Sequence, residues 1–225
     1  MNTVKLIENF RSFQGEGPDC GKSMLILRFK YCNRVEYADS NPCEYCDTLL
    51  KMRISTETTS TLNEIQETIN KSSCGTLISG GEPTFDNQFE QTLILLNELD
   101  YPISNVETNG YNLKGLLEKT NCNKNVKFIY SPKFFTAEEL NKEIELTNKV
   151  YNDNRVYIKV VGEDNEFINL YLKHVRDLNI NNKTYIMPQG KNKDELIKNA
   201  THCFDLAEEF NMNFSSRDHI IYEFI

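Results

Sequence analysis

The sequence predicts an α/β fold built on parallel strands, either as an open sheet or one partly closed into a barrel. Three observations carry this. Short β-prone runs alternate with helical stretches along most of the chain. One run, MLILRFK (24–30), is apolar almost throughout, as a strand buried on both faces requires. Several runs end in a glycine or polar cluster, the place where parallel α/β folds receive ligands.

In chain order, MLILRFK is the first long strand and a helical pattern follows at 61–71. TLIS (76–79) runs into SGGEP, QFEQTLILLNEL (88–99) has helical periodicity, and ISNVETNG (103–110) reads as a strand ending in a turn. VKFIYSPK (126–133), RVYIKVV (155–161) and KTYIMPQG (183–190) are further strands. Helices are expected between and after them at about 136–149, 164–177 and 192–210. SGGEP, ETNG, SPK and MPQG should then line one site. No repeat or low-complexity tract interrupts the pattern.

At 225 residues the chain can bury one sizeable core, and a single domain over 1–225 is expected, with a cysteine-rich loop at about 31–48. No apolar run approaches the length of a membrane span, and the start, MNTVKLIENF, lacks a signal-peptide pattern. A cytoplasmic protein without a membrane partner is expected. Seven cysteines at irregular spacing do not form a disulfide framework and suit metal or redox work in a reducing compartment. A net charge of −8 argues against a nucleic-acid partner.

Cys32, Cys43 and Cys46 are separated by ten residues and then two. Thiolates so placed bind zinc or an iron–sulfur cluster, and structural zinc is normally closed by four ligands. Candidates for a fourth are Cys20, Cys74, His174, His202 and His219, none at finger spacing. Cys74, Cys122 and Cys203 read as small hydrophobes. Taken literally, the triplet offers three thiolates and one open coordination position, and an open position is where metal chemistry happens. Structural zinc is the alternative.

The cysteine loop after the first long strand, Tyr45 before the last cysteine and the later Gly-Gly-Glu-Pro together resemble a radical S-adenosylmethionine (SAM) enzyme. The first gap is longer than is usual there, but its Asn, Asp, Ser and Pro suit a looped-out segment. Within that superfamily the chain resembles the 7-carboxy-7-deazaguanine synthase family, and the resemblance covers most of its length. FQGEG (13–17), LRF with Cys32-Asn33, CDT (46–48), SGGEP (79–83), ETNG (107–110), SPK (131–133), IKVV (158–161) and a terminal segment with His219 in a short strand occur in order. The usual pattern has Gln two residues before that His, where this chain has Arg217, and some relatives end in Pro where it has Ile225.

The resemblance implies a partial, incomplete TIM-like barrel with helices outside. It implies a 4Fe-4S cluster on Cys32, Cys43 and Cys46, SAM on the fourth iron, and Mg2+ at Thr48. Without the resemblance Thr48 would be a helix N-cap. For SAM it implies Gly80, Gly81, Glu82, Thr108, Asn109, Ser131 and Lys133. For the substrate it implies Gln14, Gly15, Glu16, Gly17, Arg28, Ser79, Gln189 and His219. Residue chemistry fits several of these. A charge at Arg28 inside an apolar strand is costly unless paired, and a guanidinium fork matches a carboxylate; a structural ion pair is the alternative. Gln14 and Glu16 offer the donor and acceptors that a pterin edge requires. Glycines at 15, 17, 80 and 81 serve a close backbone approach or plain turn geometry.

The implied activity converts 6-carboxy-5,6,7,8-tetrahydropterin to 7-carboxy-7-deazaguanine with loss of ammonia, in the route to queuosine-type modified guanines. An external one-electron reductant, flavodoxin or ferredoxin-like, would feed the cluster, and SAM would supply a radical that takes hydrogen from C6 of the pterin. A homodimer is also implied. Two other readings compete: a different radical SAM enzyme, such as a glycyl-radical activase, and a non-catalytic zinc-binding module.

Overall fold

The computed structural model describes residues 3–37, 42–122, 124–162 and 166–224, so Ile225 and part of the expanded cysteine loop lie outside the described residues. Its contacts gather the chain into two compact units, Met1–Gln14 with Gly21–Phe128, and Gly15–Cys20 with Ile129–Ile225.

The first unit holds β1 (Thr3–Leu6), β2 (Glu8–Phe13), β3 (Ser23–Phe29), α1 (Asn33–Glu36), α2 (Leu49–Ile54), β4 (Thr58–Thr61), α3 (Leu62–Ser72), β5 (Gly75–Gly80), α4 (Gln88–Glu98), β6 (Ser104–Thr108) and α5 (Leu113–Lys119). Strands β3, β5 and β6 pair in parallel, as their alternation with helices predicts. β3 is buried from Met24 through Phe29, which explains its unbroken apolar run. α3 starts at a capping box: Thr61 accepts from the Glu64 N–H while the Glu64 carboxylate accepts from the Thr61 N–H. Its Ile65 and Ile69, one turn apart, face the core. Two features depart from the expected order: β2 pairs antiparallel with β3, and β1 forms a small antiparallel ladder with β4.

Register puts alternate residues on one face of these strands. Arg28 stands opposite Glu8 and beside Ser79, while Ile26 stands opposite Phe10 and beside Leu77. Asn105 pairs with Leu77, so Glu107, two residues on, shares that face. The face is therefore layered. Met24, Ile26 and Leu77 form an apolar floor with Phe10 and Ile103, and polar side chains lie toward the strand ends.

β7 (Val126–Tyr130) falls across the boundary between the units along the chain. The second unit continues with α6 (Ala137–Val150), β8 (Val156–Gly162), α7 (Glu166–Asp177), β9 (Thr184–Pro188), α8 (Lys193–Glu209), β10 (Asn213–Phe214) and α9 (Asp218–Ile221), so His219 lies in a short helix and not in the expected strand. β9 lies between β8 and β10, parallel to both. Thr136 and Asn192 cap α6 and α8 by accepting from the N–H groups of Glu139 and Glu195. α7 buries Ile168, Tyr171, Leu172 and Val175, a spacing of one helical face. Cys74 and Cys203 are buried as small hydrophobes, whereas Cys122 is exposed, contrary to that reading: it follows the C-terminal end of α5 at the surface. No helix among the described residues is long and apolar enough to cross a membrane.

Candidate functional site

In the first unit the cysteine loop begins at the end of β3. Cys32 is the N-cap of α1, and its carbonyl accepts from the N–H groups of Val35 and Glu36. Cys43 and Cys46 close a tight turn through the Cys46 N–H and the Cys43 carbonyl, 3.1 Å apart. Burial pushes the Cys32 thiol up to about 12, and the charges of Glu82, Cys43 and Cys46 add to that shift. Burial also raises the Cys46 thiol, with Asp47 and Cys43 contributing. The three sulfurs are thus close enough to oppose one another's ionisation, a cost that a bound cationic centre would remove.

SGGEP and ETNG meet through one carboxylate. Glu82 is 1 % exposed. Its Oε1 accepts from the Thr84 N–H at 3.0 Å and from the Thr84 and Thr108 hydroxyls at 2.6 Å each. Its Oε2 accepts from the Asn109 N–H at 2.6 Å. Burial raises its carboxyl above the usual range, and these donors pull it back without cancelling the effect. Gly80 has φ +108°, and a Cβ there would strike the backbone of Phe29; at Gly81 it would strike the Tyr31 carbonyl. Both glycines are therefore required by the approach of this turn to the end of β3. Asn109 Nδ2 in turn donates to Asn33 Oδ1 at 2.8 Å and reaches Cys32 Sγ at 3.8 Å. The turn and the cysteine loop are one bonded frame.

On the layered strand face, Arg28 is 8 % exposed and paired. Its Nε lies 2.6 Å from Glu8 Oε2, in an ion pair out of line for a hydrogen bond. Its Nη1 donates to Thr48 Oγ1 at 3.0 Å. The ion-pair alternative read from the sequence is thus present in the structure. Thr48 occupies the N-cap position of α2, but its hydroxyl makes no capping bond and donates instead to Asp47 at 3.1 Å. Gln14, 3 % exposed, donates from Nε2 to Glu107 Oε1 at 3.1 Å. Ser79 is half-buried on the same face. Glu8 and Glu107 were not singled out from the sequence. Glu8 sits in the half-exposed strand ENFRSF, whose alternation does not set it apart from a solvated charge.

The second unit assembles a different carboxylate. Glu16 Oε2 accepts from Lys159 Nζ at 2.5 Å, and its Oε1 from Arg217 Nε at 2.9 Å, with His219 Nε2 at 3.6 Å. Burial alone would raise this carboxyl, but the charges of Lys159, Arg217 and His219 outweigh it and hold it well below the usual range. Arg217 also donates from Nη1 to the Gly190 carbonyl at 2.7 Å, tying MPQG to the turn. The His219 ring packs where a Cβ on Gly15 would stand, and the Asp218 N–H donates to the Gly15 carbonyl at 2.9 Å. The Gly17 N–H donates to Ser215 Oγ at 2.8 Å. Lys159 carried the same signal as Arg28, a charge within an apolar strand. Gln189 is half-buried, its carbonyl accepting from Asn199. Ser131 accepts from Lys133 Nζ at 2.6 Å, and Glu143 of α6 holds this loop by accepting from the Lys133 N–H and the Tyr130 hydroxyl.

No family model matches the chain. A curated protein of Hyperthermus butylicus named 7-carboxy-7-deazaguanine synthase is 25 % identical, covering 98 % of this chain and 94 % of that one. Among solved structures, QueE from Escherichia coli superposes with a TM-score of 0.58 at 17 % identity, covering 96 % of this chain and 95 % of that one. Streptococcus suis SuiB bound to S-adenosylmethionine gives a TM-score of 0.58 at 15 % identity, over 85 % of this chain and 49 % of that one. The fold is accordingly α/β with a mostly parallel sheet, similar to the folds of QueE and SuiB. The end-to-end likeness to the Hyperthermus butylicus protein agrees with the resemblance that the motifs carry to the 7-carboxy-7-deazaguanine synthase family.

Proposed function

We propose that this chain is a radical SAM 7-carboxy-7-deazaguanine synthase, a carbon–nitrogen lyase. It would contract 6-carboxy-5,6,7,8-tetrahydropterin to 7-carboxy-7-deazaguanine with loss of ammonia, in queuosine-type biosynthesis. The observation that carries this is the frame of the first unit, in which the Cys32 loop is bonded to the SGGEP and ETNG turns through Asn109. The end-to-end likeness to a protein of that name supports it.

The donor set fits a 4Fe-4S cluster: three thiols, mutually repelling once ionised, with a fourth position left for SAM. Generation of a hydrogen-abstracting radical would be the chemistry these cofactors bring, and the protein's part is to hold and orient. Glu82, already engaged by four donors, would keep the turns rigid, so that Gly80, Gly81, Thr108 and Asn109 present their backbone to SAM. Ser131 and Lys133 are proposed to join them. For the substrate, Arg28 keeps Nε on Glu8 and Nη1 on Thr48, which leaves Nη2 to meet the carboxylate. Gln14 and Ser79 would contact the ring, and Glu107 is added as a further acceptor. Glu16, held ionised, accepts and does not donate, which suits ring N–H groups; Gly15, Gly17, Gln189 and His219 are proposed with it.

Magnesium fits less well. The Thr48 oxygen that would bind it lies 3.0 Å from a guanidinium nitrogen, a like charge, and no step of the proposal depends on the ion. A cytoplasmic homodimer served by a flavodoxin or ferredoxin-like reductant completes the reading.

Anaerobic reconstitution with iron and sulfide, then reductant, SAM, magnesium and the pterin, tests it. Multiple-turnover 7-carboxy-7-deazaguanine by mass spectrometry, lost in Cys32→Ala, Cys43→Ala and Cys46→Ala, is the expected result. SAM cleavage with the pterin untouched would move the chain to another radical SAM reaction, such as a glycyl-radical activase. A colourless protein with one zinc per chain would return the cysteines to a structural role.

A further inference from the structure

Asn109 has an unusually determined side chain. Its Oδ1 accepts from the Tyr111 N–H at 3.1 Å, which decides which end of the carboxamide is the nitrogen. Nδ2 is thereby aimed at Asn33 Oδ1, at 2.8 Å, and at Cys32 Sγ, at 3.8 Å. Its backbone is fixed as well, through the N–H donated to Glu82. Tyr111 is itself clasped by the expanded cysteine loop. Its hydroxyl is 2.9 Å from that of Tyr37, and both rings pack edge-on against Phe85, with centroids 5.4 and 5.5 Å away. The expanded segment thus contributes Asn33 and Tyr37, which brace the two sides of one N–H···S contact.

Resting on the radical SAM reading, we propose that Asn109 is a positioning residue for the cluster. Its Nδ2–H, donated to the sulfur of Cys32, favours the more negative, reduced cluster and so raises its one-electron potential. Hydrogen bonds to cysteine sulfur are among the levers that set such potentials. Asn33 moderates the effect, because its Oδ1 shares the same donor and places a partial negative charge 3.8 Å from Cys32 Sγ. Removing either amide should therefore shift the potential in opposite directions.

The test is a redox titration of the reconstituted wild type, Asn109→Ala and Asn33→Ala, followed by electron paramagnetic resonance of the reduced cluster, with iron and sulfide counted. At the wild-type midpoint, the ratio of reduced to oxidised cluster should fall up to about tenfold in Asn109→Ala, or about 59 mV for one electron. In Asn33→Ala it should rise. Potentials unchanged in both, or shifted the same way, would overturn the proposal, since general loosening has one sign. If Asn109→Ala holds no iron, Asn33→Ala decides alone: a rise supports the proposal, and no change or a fall sinks it. A wild type that takes up no cluster would overturn the proposal together with the reading beneath it, whereas a normal cluster with unmoved potentials would overturn the proposal alone.

Discussion

Each compact unit is organised around one nearly buried glutamate, and the two are solved in opposite ways. Glu82 is surrounded by neutral donors, Thr84, Thr108 and Asn109, and its carboxyl is raised. Glu16 is surrounded by Lys159, Arg217 and His219, and its carboxyl is well below the ordinary range. Hydrogen bonds orient a carboxylate without neutralising it, whereas cations stabilise the charge itself. The first arrangement suits a rigid frame. The second suits a group that must stay ionised.

The comparison breaks most visibly at Glu16. Glu16→Gln takes the carboxylate from Lys159 and Arg217 and should cost about 3–5 kcal/mol, read as a lowered urea midpoint. Glu82→Gln keeps the shape but sets an NH2 group against one of four donors, for about 1–3 kcal/mol. A loss as large as that of Glu16→Gln would mean that Glu82 is held by charge after all. The pH dependence sharpens the contrast. A depressed carboxyl stabilises fully above its ordinary value of 4.5 and loses that as pH falls through the folded value. A raised one does the reverse, so the folded chain loses stability as pH rises from 4.5 through the folded value. In melts from neutral to acid pH, the gap between wild type and Glu16→Gln should therefore narrow, and the gap to Glu82→Gln should widen. Both gaps moving together would end the distinction. The smallest effect is expected from Thr108→Val, which removes one neutral donor for about 1 kcal/mol and pushes Glu82 further toward protonation.

Much of this was legible residue by residue. The alternation of runs marked the parallel strands because β3, β5 and β6 are buried enough to need apolar sequence. Strands β1, β2 and β4 went unread: β2 alternates between half-buried and exposed positions, and no apolar run announces it. Arg28 and the cysteine triplet stood out as residue types in the wrong company. Glu8 did not, being unremarkable until folding brings it to Arg28, and Asn109 was expected at SAM with no sign of its bond to Cys32. The glycines of SGGEP were visible, but their reason was not, since the backbone that crowds them, Phe29 at the end of β3 and Tyr31 just beyond it, lies about fifty residues away in the chain.

The Glu16–Arg217 ion pair joins residues 201 positions apart. At ribosomal speeds of about 5–20 residues per second, Glu16 would emerge roughly 10–40 seconds before the arginine that holds it. The turn carrying Glu16 can be completed only after the chain has been made out to Arg217. A stop codon between positions 200 and 217 would therefore remove Arg217 and His219 while leaving the cysteine loop intact, and truncated chains of that kind should carry iron without a finished second unit.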